Sequence, residues 1–224
     1  MKKIKVLFLG RLGCIFSKKA TNHLKKHDYE VLEYYSSSRG KLDENKFKNE
    51  KWDYIFSFRN LKIVPLPILN KSKIANINFH PGPPEYPGSG CINFALFEEA
   101  NYFGITIHHM EKKVDNGKII FCKRFPLLKN DNVETLMKKT HKLLFEEFVN
   151  FTVQKDLKQN IKNLENSDKN KWAFNQRKIN ELDFYSTIKL DYDKNKLKKL
   201  IRSFHTPNYP LKIILNGNKF ILKN

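Results

Sequence analysis

Four short apolar runs, spaced by polar stretches that suit helices, set the strongest limit on what this 224-residue chain can fold into. They are IKVLFL (4–9), YEVLEYY (29–35), YIFSF (54–58) and IANINF (74–79). Strands separated by helical segments predict a parallel α/β sheet, and in such sheets ligands sit beyond the carboxyl ends of the strands. After the first run, Gly10-Arg11-Leu12-Gly13 reads as a turn, and Ser17 as the cap of a helix reaching about His27.

The fourth run leads into Asn78-Phe79-His80 and then PGPPEYPG (81–88), four prolines and two glycines in eight residues. On a strand, positions two apart share a face, so Asn78 and His80 point the same way and Phe79 points into the core. The prolines end the strand and leave both polar groups at its open end.

Further on, INFALFEEAN (92–101) has helical periodicity. ITIHHM (105–110) and KIIFCK (118–123) read as strands around the turn Val114-Asp115-Asn116-Gly117. One long amphipathic helix is expected over 132–157, and the Asn-, Lys- and Asp-rich stretch 158–170 reads as a linker or surface loop. The tail is of another kind. A strand is expected over 186–190, a basic helix over 194–204, and a hairpin from 211–215 and 219–222 around Asn216-Gly217-Asn218. The division expected is 1–160 for the catalytic domain and 161–224 for a small C-terminal α+β subdomain.

Composition excludes several classes. No run approaches the ~20 apolar residues of a membrane span, so no membrane partner is expected. The N-terminal MKKIKVLFLG is basic then apolar, but its apolar run is too short for a signal peptide and no small-residue cleavage site follows. Cys14, Cys91 and Cys122 are odd in number and far apart, forming neither a disulfide framework nor a metal motif, which fits a cytoplasmic, reducing location. The formal charge of +19 raises a nucleic-acid reading. Only six of the 42 basic residues are arginine, the type that makes phosphate and base forks, and the lysines are scattered. Specific nucleic-acid binding is therefore not expected; the same field would gather a small anionic substrate.

The two chemical segments together form a recognisable pattern. N-x-H before a proline-containing loop, with G-x-T-x-H-x-x-x-x-x-V-D-x-G-x-I-I (104–120) placing Asp115 thirty-five residues beyond His80, resembles the formyltransferases that use N10-formyltetrahydrofolate. The likeness covers about residues 50–125 well and the first fifty in outline. PGPPEYPG, and a tail with Ile201-Arg202-Ser203-Phe204, Pro207, Tyr209-Pro210 and NGNKFIL, look like the nucleotide-sugar N-formyltransferase branch; Ser203 stands where that branch suggests alanine. The loop and tail are unlike a glycinamide ribonucleotide enzyme, and a methionyl-tRNA enzyme would carry a longer C-terminal domain.

The resemblance implies a Rossmann-like formyltransferase domain, and N10-formyltetrahydrofolate as co-substrate with no metal. It implies a nucleotide-linked amino-deoxy sugar as acceptor, foremost dTDP-4-amino-4,6-dideoxyglucose, for O-antigen or other surface polysaccharide. A 3-amino sugar, another nucleotide and a homodimer stay open. Asn78, His80 and Asp115 would be catalytic, with protonated His80 and Asn78 supporting the formyl oxygen. Ile63, Val64, Pro65, Val114 and Asn116 would hold the folate. Pro81, Gly82, Pro83 and Tyr86 would wall the sugar, with Arg202 at the nucleotide end. One of His108 and His109 would lie near the site, with His109 expected among the substrate contacts.

Overall fold

The computed structural model describes residues 3–207 and 209–223. The chain runs β1 (Ile4–Arg11), α1 (Ile15–Lys25), β2 (Tyr29–Ser36), β3 (Gly40–Lys41), a 3-10 turn (Glu44–Phe47), β4 (Trp52–Phe58), β5 (Lys62–Ile63), α2 (Leu66–Leu69) and β6 (Ser72–His80). It continues through α3 (Cys91–Phe97), β7 (Tyr102–His109), β8 (Ile119–Pro126), α4 (Val133–Thr152) and α5 (Leu157–Ser167). The tail holds α6 (Ile179–Tyr185), β9 (Thr187–Ile188), α7 (Lys194–Phe204), β10 (Lys212–Leu215) and β11 (Asn218–Ile221).

Six strands form the central sheet in the order β2-β1-β4-β6-β7-β8. The first four are parallel, as the strand–helix spacing predicts, and β7 and β8 join antiparallel. From β1 the chain steps out to β2 and then crosses back to β4 on the other side of β1. That reversal opens a crevice at the carboxyl ends of β1 and β4, the usual place for a ligand in such sheets.

Alternate residues of each strand feed the two faces. Val6, Phe8, Phe56, Ile77 and Phe79 pack on one side with Phe148 of α4, while Leu7, Leu9 and Ile55 pack on the other with Val64 and Ile68. Phe79 is fully buried, which fixes the opposite face for Asn78 and His80. The tail docks through α7: Leu200, Phe204 and Leu211 close over Phe94 of α3. The expected hairpin forms between β10 and β11, with Asn216 and Gly217 both at positive φ (48° and 77°) as a two-residue turn demands.

Two expectations fail locally. The long helix ends at Thr152, whose hydroxyl donates back to the Phe148 carbonyl, and Asp156 caps a new helix by accepting from the Gln159 amide. The stretch read as a linker is therefore mostly α5, and its Leu157 and Ile161 lie in the main core. Ser17 also does not cap α1. Cys14 does, through Sγ, and Ser17 Oγ instead donates to the Phe58 carbonyl and accepts from the Arg11 amide.

Phe148 touches the rings of Phe8, Phe56, Phe58 and Phe79, the last at 4.8 Å between centroids. Phe148→Ala would leave a cavity among four strand residues and cost about 3–5 kcal/mol. Urea unfolding of the two proteins checks this, and a loss below ~1 kcal/mol would contradict the packing.

Candidate active site

Three segments converge at the end of β6. The pairing of β6 with β7 sets Asn78 opposite His108 and His80 opposite Thr106. The turn after β7 brings Asp115 back over both histidines: Oδ2 lies 3.4 Å from His80 Nδ1, and Oδ1 lies 3.4 Å from His108 Nε2. Asp115 Oδ2 also accepts from the Gly88 amide at 2.9 Å. Asp115 reaches this position with φ of 43°, a left-handed conformation that aspartate tolerates better than most side chains.

These groups are almost sealed from water. Asp115 is 7% exposed, His80 5% and His108 1%. Burial would raise the Asp115 carboxyl, but His80, His108 and the Gly88 amide outweigh it and hold it at about 2. His80 moves the other way. Burial pushes its imidazole below the usual value, and the neighbouring Asp115 does not make up the difference. A lowered imidazole favours the neutral ring at rest, the form suited to receive a proton, whereas the sequence expectation set the protonated form against the formyl oxygen.

With Nδ1–H turned to Asp115, the Nε2 of neutral His80 carries the lone pair, and this buried atom has no hydrogen-bond partner among the described residues. Gly82 lies against it: a Cβ there would sit 2.8 Å from Nε2, so only glycine allows the approach. His108 Nδ1 lies 2.7 Å from the His109 carbonyl, and its Nε2 lies 3.0 Å from Asn78 Nδ2 and 3.4 Å from Asp115 Oδ1. These contacts orient the Asn78 amide.

Asn78, His80, His108 and Asp115 line a cleft of about 490 Å³. Arg11 and Arg59, at the ends of β1 and β4, line it as well, as do Arg39, Lys62, Lys113 and Arg177. Arg59 is strongly desolvated; its charge neighbours are Cys14, Arg11 and Cys91, with no carboxylate among them, and its Nη1 donates to Cys14 Sγ at 3.0 Å. The cleft lining is thus mostly cationic, with Glu111 and the buried Asp115 as its carboxylates. Among the described residues no group of three or more His, Cys, Asp or Glu is arranged to hold a metal ion, and no helix is long and apolar enough to cross a membrane.

A family model described as "Formyl transferase" matches residues 16–152. The chain belongs to the formyl transferase family. Among curated proteins it is 30% identical over 135 residues to a bifunctional polymyxin resistance protein ArnA of Wigglesworthia glossinidia brevipalpis, covering 52% of this chain and 20% of that one. The chain spans about a fifth to two fifths of the length of the first curated relatives it matches. Among solved structures it is similar to a 4-N formyltransferase of Francisella tularensis, with 20% identity, TM-score 0.75, and 99% and 97% of the two chains covered. It is also similar to a Helicobacter canadensis N-formyltransferase in complex with folinic acid and dTDP-3-aminofucose, with 17% identity, TM-score 0.66, and 96% and 85% covered. These likenesses establish the formyltransferase fold.

The structure of this formyl transferase family member sorts the expected site residues. Asn78, His80 and Asp115 come together, and Ile63, Val64, Val114 and Pro81 line the cleft with them. Pro65 instead caps α2, and Asn116 does not line the cleft. Pro83 is buried, and its carbonyl accepts from the Tyr86 amide at 3.0 Å, a turn that sends the Tyr86 ring toward Phe103 in the body of the protein. His109 is corrected to His108. By register His108 shares the Asn78 face, whereas His109 Nε2 lies 2.6 Å from Glu165 Oε1 on α5. Arg202 is corrected too: its Nε donates to the Asp131 carbonyl at 2.8 Å, tying α7 to the loop before α4. The sequence reading missed Arg11 and Arg59, although they stand at strand ends as His80 does.

On α4, buried His141 packs on Phe16, and burial, then Arg59 and Arg11, push its imidazole down to about 3. The unfolded chain binds this proton below ~6.5 and the folded chain does not. Stability should fall as pH drops from ~6.5 toward ~3, by up to about 1.4 kcal/mol per unit from this group. His141→Leu should flatten that slope in urea titrations across the window; an unchanged slope would contradict a neutral buried His141.

Proposed function

We propose that this chain transfers the formyl group of N10-formyltetrahydrofolate to the amine of a nucleotide-linked amino-deoxy sugar, with dTDP-4-amino-4,6-dideoxyglucose the first candidate acceptor. The observation that carries the reading is the unpartnered Nε2 of His80, on the same strand face as Asn78 and backed by Asp115.

The chemistry follows from that arrangement. The sugar amine attacks the formyl carbon, and negative charge builds on the formyl oxygen. The Asn78 amide donates to that oxygen, a contact of a kind worth about 3 kcal/mol in the barrier. His80 Nε2 takes a proton from the attacking nitrogen, and the imidazolium is stabilised by Asp115. It then returns the proton to the folate nitrogen as the carbon–nitrogen bond breaks. Ile63, Val64 and Val114 would flank the pterin. Arg11 and Arg59, beside the N-terminus of α1, would hold the diphosphate of the nucleotide. In this reading 1–160 acts as the catalytic domain and 161–224 as a small subdomain, and the formylated sugar serves surface polysaccharide.

The test is a mixture of pure protein with N10-formyltetrahydrofolate and a panel of nucleotide amino sugars, with the N-formyl sugar read by mass spectrometry. Formyl transfer to a dTDP-4-amino sugar is expected; transfer only to a 3-amino isomer would move the acceptor, and transfer to none would overturn the reading. His80→Asn should lower turnover by at least ~10²-fold with the fold intact. Gly82→Ala should do the same by crowding Nε2, and near-normal turnover in either would contradict the role of that atom.

A further inference from the structure

The catalytic cluster has a second cover that no motif announced. After α5 the chain doubles back across the site. The Ala173 amide donates to the Pro84 carbonyl at 2.9 Å, and the Arg177 amide to the Pro87 carbonyl at 3.2 Å. Gln176 Nε2 donates to the Val114 carbonyl at 2.8 Å. The strap is thus pinned both to the proline loop and to the turn that carries Asp115. Within it, Trp172 Nε1 donates to the Gly117 carbonyl at 2.7 Å. Its ring meets His108 edge-to-face at 4.9 Å between centroids (86°) and His80 at 5.9 Å (74°). Asn78, His80, His108 and Asp115 face the cleft and Trp172 does not, so the indole sits behind the imidazoles.

We propose that Trp172 is a positioning residue for formyl transfer: anchored on Gly117, its indole fixes both imidazole planes and excludes water from behind the His80–Asp115–His108 cluster. An indole edge supplies a wide apolar contact and one donor, and here the donor is spent on the turn that carries Asp115. Water behind the cluster would solvate the charged form of His80 and loosen its geometry. The inference rests on the role given to His80 above.

The consequence is read in the pH dependence. The charged and titratable groups around His80 are Asp115 from the β7–β8 turn, His108 from β7 and Cys91 from α3, whose own environment includes Arg59. Asp115 stays ionised throughout the assay range, so the acid limb of kcat/KM reports His80. Burial lowers the His80 imidazole; opening the back of the site lets its pKa rise toward the ordinary value. A base must be neutral, so activity would then be lost at a higher pH.

In Trp172→Ala the acid limb of kcat/KM should move measurably to higher pH, since part of the burial of His80 is removed. Trp172→Phe keeps a ring edge but not the anchor and should show a smaller shift in the same direction. The His80 imidazole is followed in parallel by NMR titration without substrate, its signal assigned by its absence in His80→Asn. That arm is independent of the acceptor, so a wrong acceptor and a wrong role for Trp172 give different results. Upward shifts in both measurements, larger for Ala than for Phe, support the proposal. Folded variants whose profiles and His80 titration match the parent overturn it, even if turnover falls uniformly. If Trp172→Ala does not fold, the Phe variant decides: a measurable upward shift supports the cover, and none overturns it.

Discussion

The contact between Asp115 and His80 is the interaction on which the rest of the site depends. A carboxylate only 7% exposed is costly to bury unless its charge is answered. Here the answer comes from two imidazoles and a backbone amide that belong to different parts of the chain. His80 ends a buried parallel strand, His108 lies on an antiparallel neighbour, and Gly88 closes the proline loop. The sheet register, the loop and the left-handed turn must all be correct before Asp115 can stay ionised. Folding and the placement of the His80 ring are therefore linked through one charge, and with it the proposed role of His80 as a base.

The proline loop has a stiffening role and also an occluding one. Its prolines end β6 cleanly, and Gly82 brings the backbone against His80 Nε2. Its carbonyls at Pro84 and Pro87 then receive the returning strap. This explains why so rigid a segment follows the histidine directly. It is the surface on which both the turn of Asp115 and the cover over the cluster are laid down.

Much of the fold was legible in the sequence, because strand alternation and turn chemistry follow short-range rules, whereas the roles expected of Asn78, His80 and Asp115 came from the resemblance of two segments to a known family. Period-two alternation placed Asn78 and His80 on one face, and strand–helix spacing gave the parallel part of the sheet. The Asn216-Gly217 turn was equally plain. What was hidden depends on tertiary company. Leu157, Ile161 and Leu164 had helical spacing, but the surrounding Asn and Lys masked it. His108 and His109 were separable only by register with β6. Arg202 is drawn to carbonyls by the docking of α7, which no local pattern records. Trp172 lies just past the stretch read as a linker, in a segment given no element, and the contacts that single it out are made across the fold.

The most direct measurement of the central claim is a crystal structure of the protein with folinic acid, a stable formyl-folate analogue, and a dTDP-linked 4-amino sugar. The account predicts the sugar nitrogen within hydrogen-bond reach of His80 Nε2, the pterin against Ile63 and Val64, and the diphosphate on Arg11 and Arg59. A sugar amine bound away from His80, or a cleft occupied by neither ligand at saturating concentrations, would contradict it.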